Sequence, residues 1–251
     1  MSNFTDKVKK FVAIIVEGKL RWVRALGLGV AAGVEHVVVL QQFDCRTVVD
    51  IGANRGQFAL AARHTFPDAN IISFEPLSGP SKVFRRIFAK DNAVVLNQSA
   101  IGSENKQCLM HVSARDDSSS LLQFSSLQEE VFPGTGQVAT VDVHVAPLYS
   151  FVGDCDIVGP ALLKLDVQGF ELEALRGCES LLSRFQWVYC ECSFVELYVG
   201  QKYAADVIDW LSGRGFQIKG MYNPTYDHKG RTVQADLLFR RPDVDRELCG
   251  S

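Results

Sequence analysis

Apolar and polar positions alternate between two periods along this chain, and the switches mark its elements. TVVDI (47–51) is a short apolar run that ends in turn chemistry, which predicts a buried strand. NIISFE (70–75), AVVLNQSAI (93–101), ALLKLDV (161–167) and WVYCECS (187–193) repeat that pattern. Between them the spacing is helical. Residues 56–65 are stopped by Pro67-Asp68, and 79–90 carry Pro80 in the first turn, where a missing N–H is harmless. Residues 170–184 are interrupted by Gly177, and 203–213 stop near Gly213–Gly215. CLMHVS (108–113) and VATVDVHV (138–145) alternate as antiparallel strands do. FQIKGMY (216–222) and ADLLFRR (235–241) close the sheet.

This pattern divides the chain into a helical N-terminal extension (1–44), an α/β domain (45–241) and a polar tail (242–251). Within the extension, strand-like alternation begins only at Val37–Leu40. Strand–helix–strand repetition with right-handed crossovers predicts a Rossmann-like, doubly wound sheet. Its ligand belongs beyond the carboxyl ends of the strands, after Ile51, Phe74, Ala100, Leu165 and Tyr189. The Ser-rich stretch 113–137 is read either as a lid over that site or as a surface linker. The aromatic segment FVELYVGQKY (194–203) is read either as lining the acceptor pocket or as core.

Composition narrows the class. With 251 residues, 47% hydrophobic and 22% charged, the chain can bury a core without disulfides or metal. The net charge of −3 gives no basic excess, which argues against a nucleic-acid partner. Seven cysteines, at 45, 108, 155, 178, 190, 192 and 249, form no C-x-x-C pair, and Cys190 and Cys192, on one face of a predicted strand, read as core packing in a reducing cytosol. No apolar run reaches spanning length, so the expected location is cytoplasmic. Six Lys/Arg at 7, 9, 10, 19, 21 and 24 surround the apolar patch Phe11–Val16. Residues 4–24 therefore have three readings: a helix packed on its own domain, a basic amphipathic helix on an anionic membrane, or a cleavable signal.

The strongest local chemistry is VVDIGANRGQFA (48–59). Gly52 permits a tight turn and close approach by a ligand, and the helix after Gly56 offers N–H groups to a carboxylate or phosphate. A dinucleotide fingerprint requires glycine where Asn54 and Gln57 stand, so the turn favours a cofactor without a pyrophosphate. S-adenosylmethionine meets that condition. Its tail carboxylate can take the N–H groups of the turn, and Asp50 can face its ammonium. Glu75, at the end of the second strand, can accept both ribose hydroxyls and would repel a 2′-phosphate.

Together with ISFEP (72–76), SAIG (99–102), SSSLL (118–122), KLDVQGFELEAL (164–175), ECSFVELYVGQ (191–201) and ADLLF (235–239), this segment resembles the FkbM-type methyltransferases. These are a branch of the class I S-adenosylmethionine-dependent enzymes. The resemblance covers about residues 30–241. It implies a seven-stranded, mostly parallel sheet with an antiparallel last strand, and methyl transfer to a hydroxyl of a sugar, glycan or secondary metabolite. It implies donor-binding residues at Asp50, Gly52, Ala53, Asn54, Gly56 and Glu75, with Ala100 near the adenine. One departure is Gln168, where the family often has Glu in DVEG.

An aliphatic hydroxyl needs a base or a metal to become a nucleophile. Asp166 and Glu191, at the ends of two central strands, are the candidates. Lys164 and Asp166 share a face by alternation. The two carboxylates read as base and orienting acid, as Mg²⁺ ligands, or as a turn cap. Glu171 reads as a favourable charge at a helix start. The five histidines (36, 64, 111, 144, 228) form no zinc motif and read mainly as packed or surface groups. His111 and His144 fall on the two antiparallel strands, where they can be neighbours, and His228 is an outside candidate for base. Two other functions stand beside the O-methyltransferase: a nicotinamide-dependent oxidoreductase with a degenerate turn, and a catalytically silent scaffold of the same fold.

Overall fold

The computed structural model describes residues 20–242. Helix α1 (Leu20–Gly27) and the short helix α2 (Val37–Leu40) come first, with a 3-10 turn at Val34–His36 between them. Trp22 and Ala25 of α1 are buried, and the Trp22 indole donates to the Leu60 carbonyl at 3.3 Å. Arg21 pairs with Asp91. Within the basic segment Arg21 and Trp22 thus hold to their own domain, while residues 4–19 lie outside the described residues. Val37–Leu40 is helical rather than strand-like. Val39 and Leu40 are buried while Val38 is 67% exposed, and the apolar run serves one helical face.

The domain then runs β1 (Thr47–Ile51), α3 (Gln57–Thr65), β2 (Asn70–Phe74), α4 (Ser78–Ile87), β3 (Val94–Asn97), β4 (Ala100–Ile101) and β5 (Lys106–Ser113). After it come α5 (Ser126–Val131), β6 (Gln137–Ala146), β7 (Ala161–Leu165), α6 (Glu171–Gly177) and β8 (Trp187–Ser193). The last elements are α7 (Ala204–Ser212), β9 (Gln217–Tyr226) and β10 (Thr232–Arg240). Seven strands form one sheet in the order β3-β2-β1-β7-β8-β10-β9. The pairings among β3, β2, β1, β7 and β8 are parallel, and β10 runs antiparallel to both β8 and β9. Adjacent residues feed opposite faces. Val49 and Leu163 enter one core, and Val48 and Leu162 the other, so both faces of the sheet are covered. Strand order reverses between β1 and β7, which places the ligand crevice beyond the ends of those strands.

The strand expected over 93–101 is two strands in two sheets. The Asn97 carbonyl accepts the Glu75 N–H, and the Ser99 hydroxyl donates to the His144 carbonyl at 2.9 Å, so the chain leaves the main sheet there. β4 joins β6 and β5 in a separate sheet of order β4-β6-β5. β5 and β6 are antiparallel, as their alternation predicts. His111 lies opposite Thr140 and His144 opposite Gln107, so the two histidines are not neighbours. β7 stops at Leu165 rather than at 167, because Gln168 (φ +55°) and Gly169 (φ +94°) turn the chain. The expected helix 170–184 ends its α-helical part at Gly177, where a Cβ would lie 2.4 Å from the Gly102 carbonyl oxygen.

Candidate active site

A cavity of about 260 Å³ opens at the carboxyl ends of β1, β2 and β7. Its first wall is the turn after β1. Gly52 (φ +80°) is required there, since a Cβ would sit 1.8 Å from the Asp166 carbonyl oxygen. Gly52, Ala53 and Asn54 line the cavity. Their N–H groups are already used inside the protein. Those of Gly52 and Ala53 donate to the Phe74 carbonyl (3.0 and 2.9 Å), that of Asn54 to Glu75 Oε2 (3.0 Å), that of Arg55 to Asn54 Oδ1 (2.7 Å) and that of Gly56 to the Ala53 carbonyl (2.8 Å). The turn therefore shapes the wall, and the expectation that its N–H groups are free for a ligand carboxylate is not met. Gly56 (φ +96°) packs against Phe84 and Phe88, away from the cavity.

Glu75 is 4% exposed and lines the cavity. Its oxygens accept the Asn54 and Leu77 N–H groups at 3.0 and 2.7 Å. Burial pushes its pKa up to about 7 against the pull of those donors. Ala100, Ile101, Met110 and Leu121 make the apolar end of the cavity. Asp50 is fully buried beneath the floor rather than at the surface of the cavity. Its Oδ1 lies 3.2 Å from Lys164 Nζ, and it is Lys164 that lines the wall. Burial opposes the Lys164 charge, but Asp50 and Asp166 outweigh it and hold its pKa above the ordinary value.

The opposite end is built around Gln168. Its Nε2 donates to Asp166 Oδ1 and to Glu191 Oε2, both at 2.8 Å. Its Oε1 accepts the Tyr198 hydroxyl at 2.8 Å, and its carbonyl accepts the Ser120 hydroxyl at 2.6 Å. Asp166 is partly exposed in the cavity, with Oδ2 3.8 Å from Lys164 Nζ. Glu191 is half-buried behind it, and its Oε1 takes the Gln234 amide at 2.6 Å. Burial, then the charges of Asp166, Asp236 and Glu171, raise the Glu191 pKa well above the ordinary value. Glu171 accepts the Val167 and Gly169 N–H groups, each at 3.1 Å, and burial lifts its pKa to about 7.

The sequence brings Asp166 and Glu191 together as expected, but an amide donor occupies the position between them. A cation would have to displace it. Among the described residues no group of three or more His, Cys, Asp or Glu is arranged to hold a metal ion.

Two segments that the sequence left with two readings each take a definite place. The Ser-rich stretch is a wall of the site, for Asp116, Asp117, Ser119 and Leu121 line the cavity. It is fastened there by Arg55 to Asp116 (2.6 and 3.0 Å) and by the Tyr198 hydroxyl to the Ser118 carbonyl (3.0 Å). No residue of 194–203 lines the cavity. Tyr198 is buried and braces Gln168 from behind. His228 lies exposed in the β9–β10 loop, away from the cavity. His36, read from the sequence as a packing residue, lines it together with Glu35. The partners that hold His36, Tyr189 and Asn223, come 153 and 187 positions later, so no local pattern announces it.

Methyltransferase 1 of Beauveria bassiana is 26% identical to this chain over 183 residues, covering 68% of the chain and 72% of its own length. The 2-O-methyltransferase NoeI of Sinorhizobium fredii is 26% identical over 216 residues, covering 82% and 83%. Among solved structures, an rRNA methylase from Streptococcus thermophilus aligns over 82% of this chain and 93% of its own, at 10% identity and a TM-score of 0.46. The family model described as the methyltransferase FkbM domain matches residues 50–218, more than half of the chain and all of the residues that line the cavity except Glu35 and His36. This chain belongs to the FkbM methyltransferase family.

Proposed function

We propose that this protein transfers the methyl group of S-adenosylmethionine to a hydroxyl oxygen of an uncharged sugar, glycan or secondary metabolite. The carrying observation is the division of the cavity beyond β1, β2 and β7 into an apolar slot beside Glu75 and an acidic end at Asp166. The residues suit the donor chemically. Ala100, Ile101, Met110 and Leu121 offer a slot for a flat ring, and the buried Glu75 keeps lone pairs for a ribose diol. The lining is rich in carboxylates (Glu35, Glu75, Asp116, Asp117, Asp166), which favours a ligand bearing a sulfonium and an ammonium. When bound, S-adenosylmethionine supplies an electrophilic methyl group whose leaving sulfur needs no acid.

What remains for the protein is alignment and proton removal. Asp166, held by the same Gln168 amide that ties down Glu191 behind it, accepts a hydrogen bond from an acceptor hydroxyl and orients it, with Glu191 adding negative charge behind. The same carboxylates repel a phosphorylated or carboxylated acceptor, hence the uncharged class. The name of the relative NoeI, a 2-O-methyltransferase, supports oxygen as the methylated atom.

The test has two parts. Calorimetry with S-adenosylhomocysteine and with NAD⁺ should show binding of the first alone. Label from methyl-tritiated S-adenosylmethionine should pass to methyl glycosides of neutral hexoses in preference to uronic acids and hexose phosphates. NAD⁺ binding in place of the thioether would restore the oxidoreductase reading. Tight thioether binding with no transfer to any acceptor would favour the silent scaffold.

A further inference from the structure

His36 sits on the short 3-10 turn before α2, in the N-terminal extension, yet it faces the cavity. Its Nδ1 edge is enclosed by a polar cluster. Nδ1 lies 3.2 Å from the Tyr189 hydroxyl, 3.6 Å from Asp236 Oδ2 and 3.5 Å from Asn223 Nδ2. The donors in that cluster are already committed. The Tyr189 hydroxyl gives its proton to Asp236 Oδ2 at 2.9 Å, and Asn223 Nδ2 donates to Asp236 Oδ2 at 2.8 Å and to the Tyr189 oxygen at 3.1 Å. With the tyrosine O–H directed at Asp236, Nδ1 faces acceptors rather than free donors, and the arrangement is satisfied when Nδ1 carries its own hydrogen. That leaves Nε2 with the basic lone pair.

The ring is also fixed in direction. A Cβ on Gly33 would lie 2.8 Å from His36 Cδ2, so that edge is packed. The Phe58 ring meets the imidazole edge-on at 5.3 Å. The Cε1–Nε2 edge is the one left, on a residue that lines the cavity, and Glu35 Oε1 lies 3.9 Å from Nε2. Lys164 Nζ stands over the same Phe58 ring at 5.3 Å and 3.8 Å from Asp166, so His36, Lys164 and Asp166 border one end of the site.

We propose that His36 is the catalytic base that removes the acceptor hydroxyl proton, and that Asp236, Tyr189 and Asn223 are its positioning residues. The inference rests on the methyl-transfer reading above. Asp166 suits proton removal less well than His36. One of its oxygens takes the Gln168 amide and the other faces the Lys164 ammonium, both of which stabilise the carboxylate as it is. In the step, the hydroxyl proton passes to His36 Nε2 while an oxygen lone pair forms the new O–CH₃ bond. The pair of the broken C–S bond stays on sulfur, giving a neutral thioether and an imidazolium that later returns its proton to water.

The experiment uses the full chain, and its first readout is independent of turnover. Nitrogen-15 histidine spectra, with and without S-adenosylhomocysteine, should show His36 as the Nδ1–H tautomer with Nε2 unprotonated. The resonance is assigned by its loss in His36→Asn or His36→Gln. The Nε2–H tautomer would overturn the proposal. Asp236→Asn, whose neutral amide competes less for the tyrosine proton, should move the signal toward the Nε2–H form. An unmoved tautomer would remove Asp236 from its positioning role.

His36→Asn should bind S-adenosylhomocysteine within about twofold of wild type and lose about 10²–10⁴-fold in turnover on the glycosides that wild type methylates. A tenfold or greater loss of thioether affinity would instead place His36 at the donor tail and sink the base assignment, as would unchanged turnover. Failure of the wild-type chain itself to bind the thioether would count against the methyl-transfer reading and not against His36 as such.

Discussion

At the scale of single residues, Gln168 has the widest reach. One amide group holds two carboxylates at 2.8 Å each, and its oxygen is held in turn by Tyr198. The sequence marks Gln168 only as a departure from the Glu of a resembling family, because its meaning depends on partners 23 and 30 positions away. Glu75 was legible, since its distance from the first strand and its place at a strand end are local facts. Its importance for the donor is directly testable. Glu75→Ala removes a buried acceptor for the ribose hydroxyls and also frees the Asn54 and Leu77 N–H groups. Loss of a hydrogen bond to a charged group is worth about 1.5–3 kcal/mol, so S-adenosylhomocysteine affinity by calorimetry should fall at least tenfold. Unchanged affinity would remove the ribose from Glu75.

At the scale of elements, the core strands β1, β2, β7 and β8 were readable because continuous apolar runs have one use in a sheet covered on both sides. The Val48/Val49 and Leu162/Leu163 pairs fill the two cores. The break between β3 and β4 was not readable. AVVLNQSAI has the composition of one strand, and only the pull of a second sheet on Ser99 divides it. The segment over the site belongs at this scale too. Ser120 clips it down by donating to the Gln168 carbonyl at 2.6 Å and accepting the Leu122 N–H at 3.0 Å. Ser120→Ala leaves a buried carbonyl and an N–H short of a partner, at about 1–3 kcal/mol. Amide exchange across residues 114–125 should therefore quicken by roughly five- to a hundredfold, with β1 and β7 unaffected. Uniform exchange behaviour in the two proteins would show that the clip carries little.

At the scale of the whole molecule, the site gathers buried acids from distant elements, and this sets the pH dependence of stability. Glu75 and Glu171 have native pKa values of about 7, above the ordinary 4.5, because both are buried. A raised carboxyl pKa means that the native state holds the proton more tightly than the unfolded chain. The contribution is therefore most favourable below about pH 4.5, declines as pH rises toward 7 and is flat above it. At about 1.4 kcal/mol per pH unit, each group takes away on the order of 3 kcal/mol across that window. Denaturant unfolding of the unliganded protein should show Glu171→Gln gaining on wild type between pH 5 and pH 8, since Gln keeps an oxygen for the Val167 and Gly169 N–H groups. A constant difference between the two proteins over that range would show that Glu171 does not titrate with folding. The sequence by itself determined the layered α/β architecture, the Gly52 turn and the acids at the strand ends, because these follow from apolar periodicity and from backbone conformations that few residues can adopt. Only the tertiary structure decided that the turn satisfies its own N–H groups, that Gln168 bridges Asp166 to Glu191, and that His36 meets Tyr189, Asn223 and Asp236. Hydrogen bonds reach about 3 Å in space and are indifferent to separation along the chain, so partners this far apart in sequence leave no local trace.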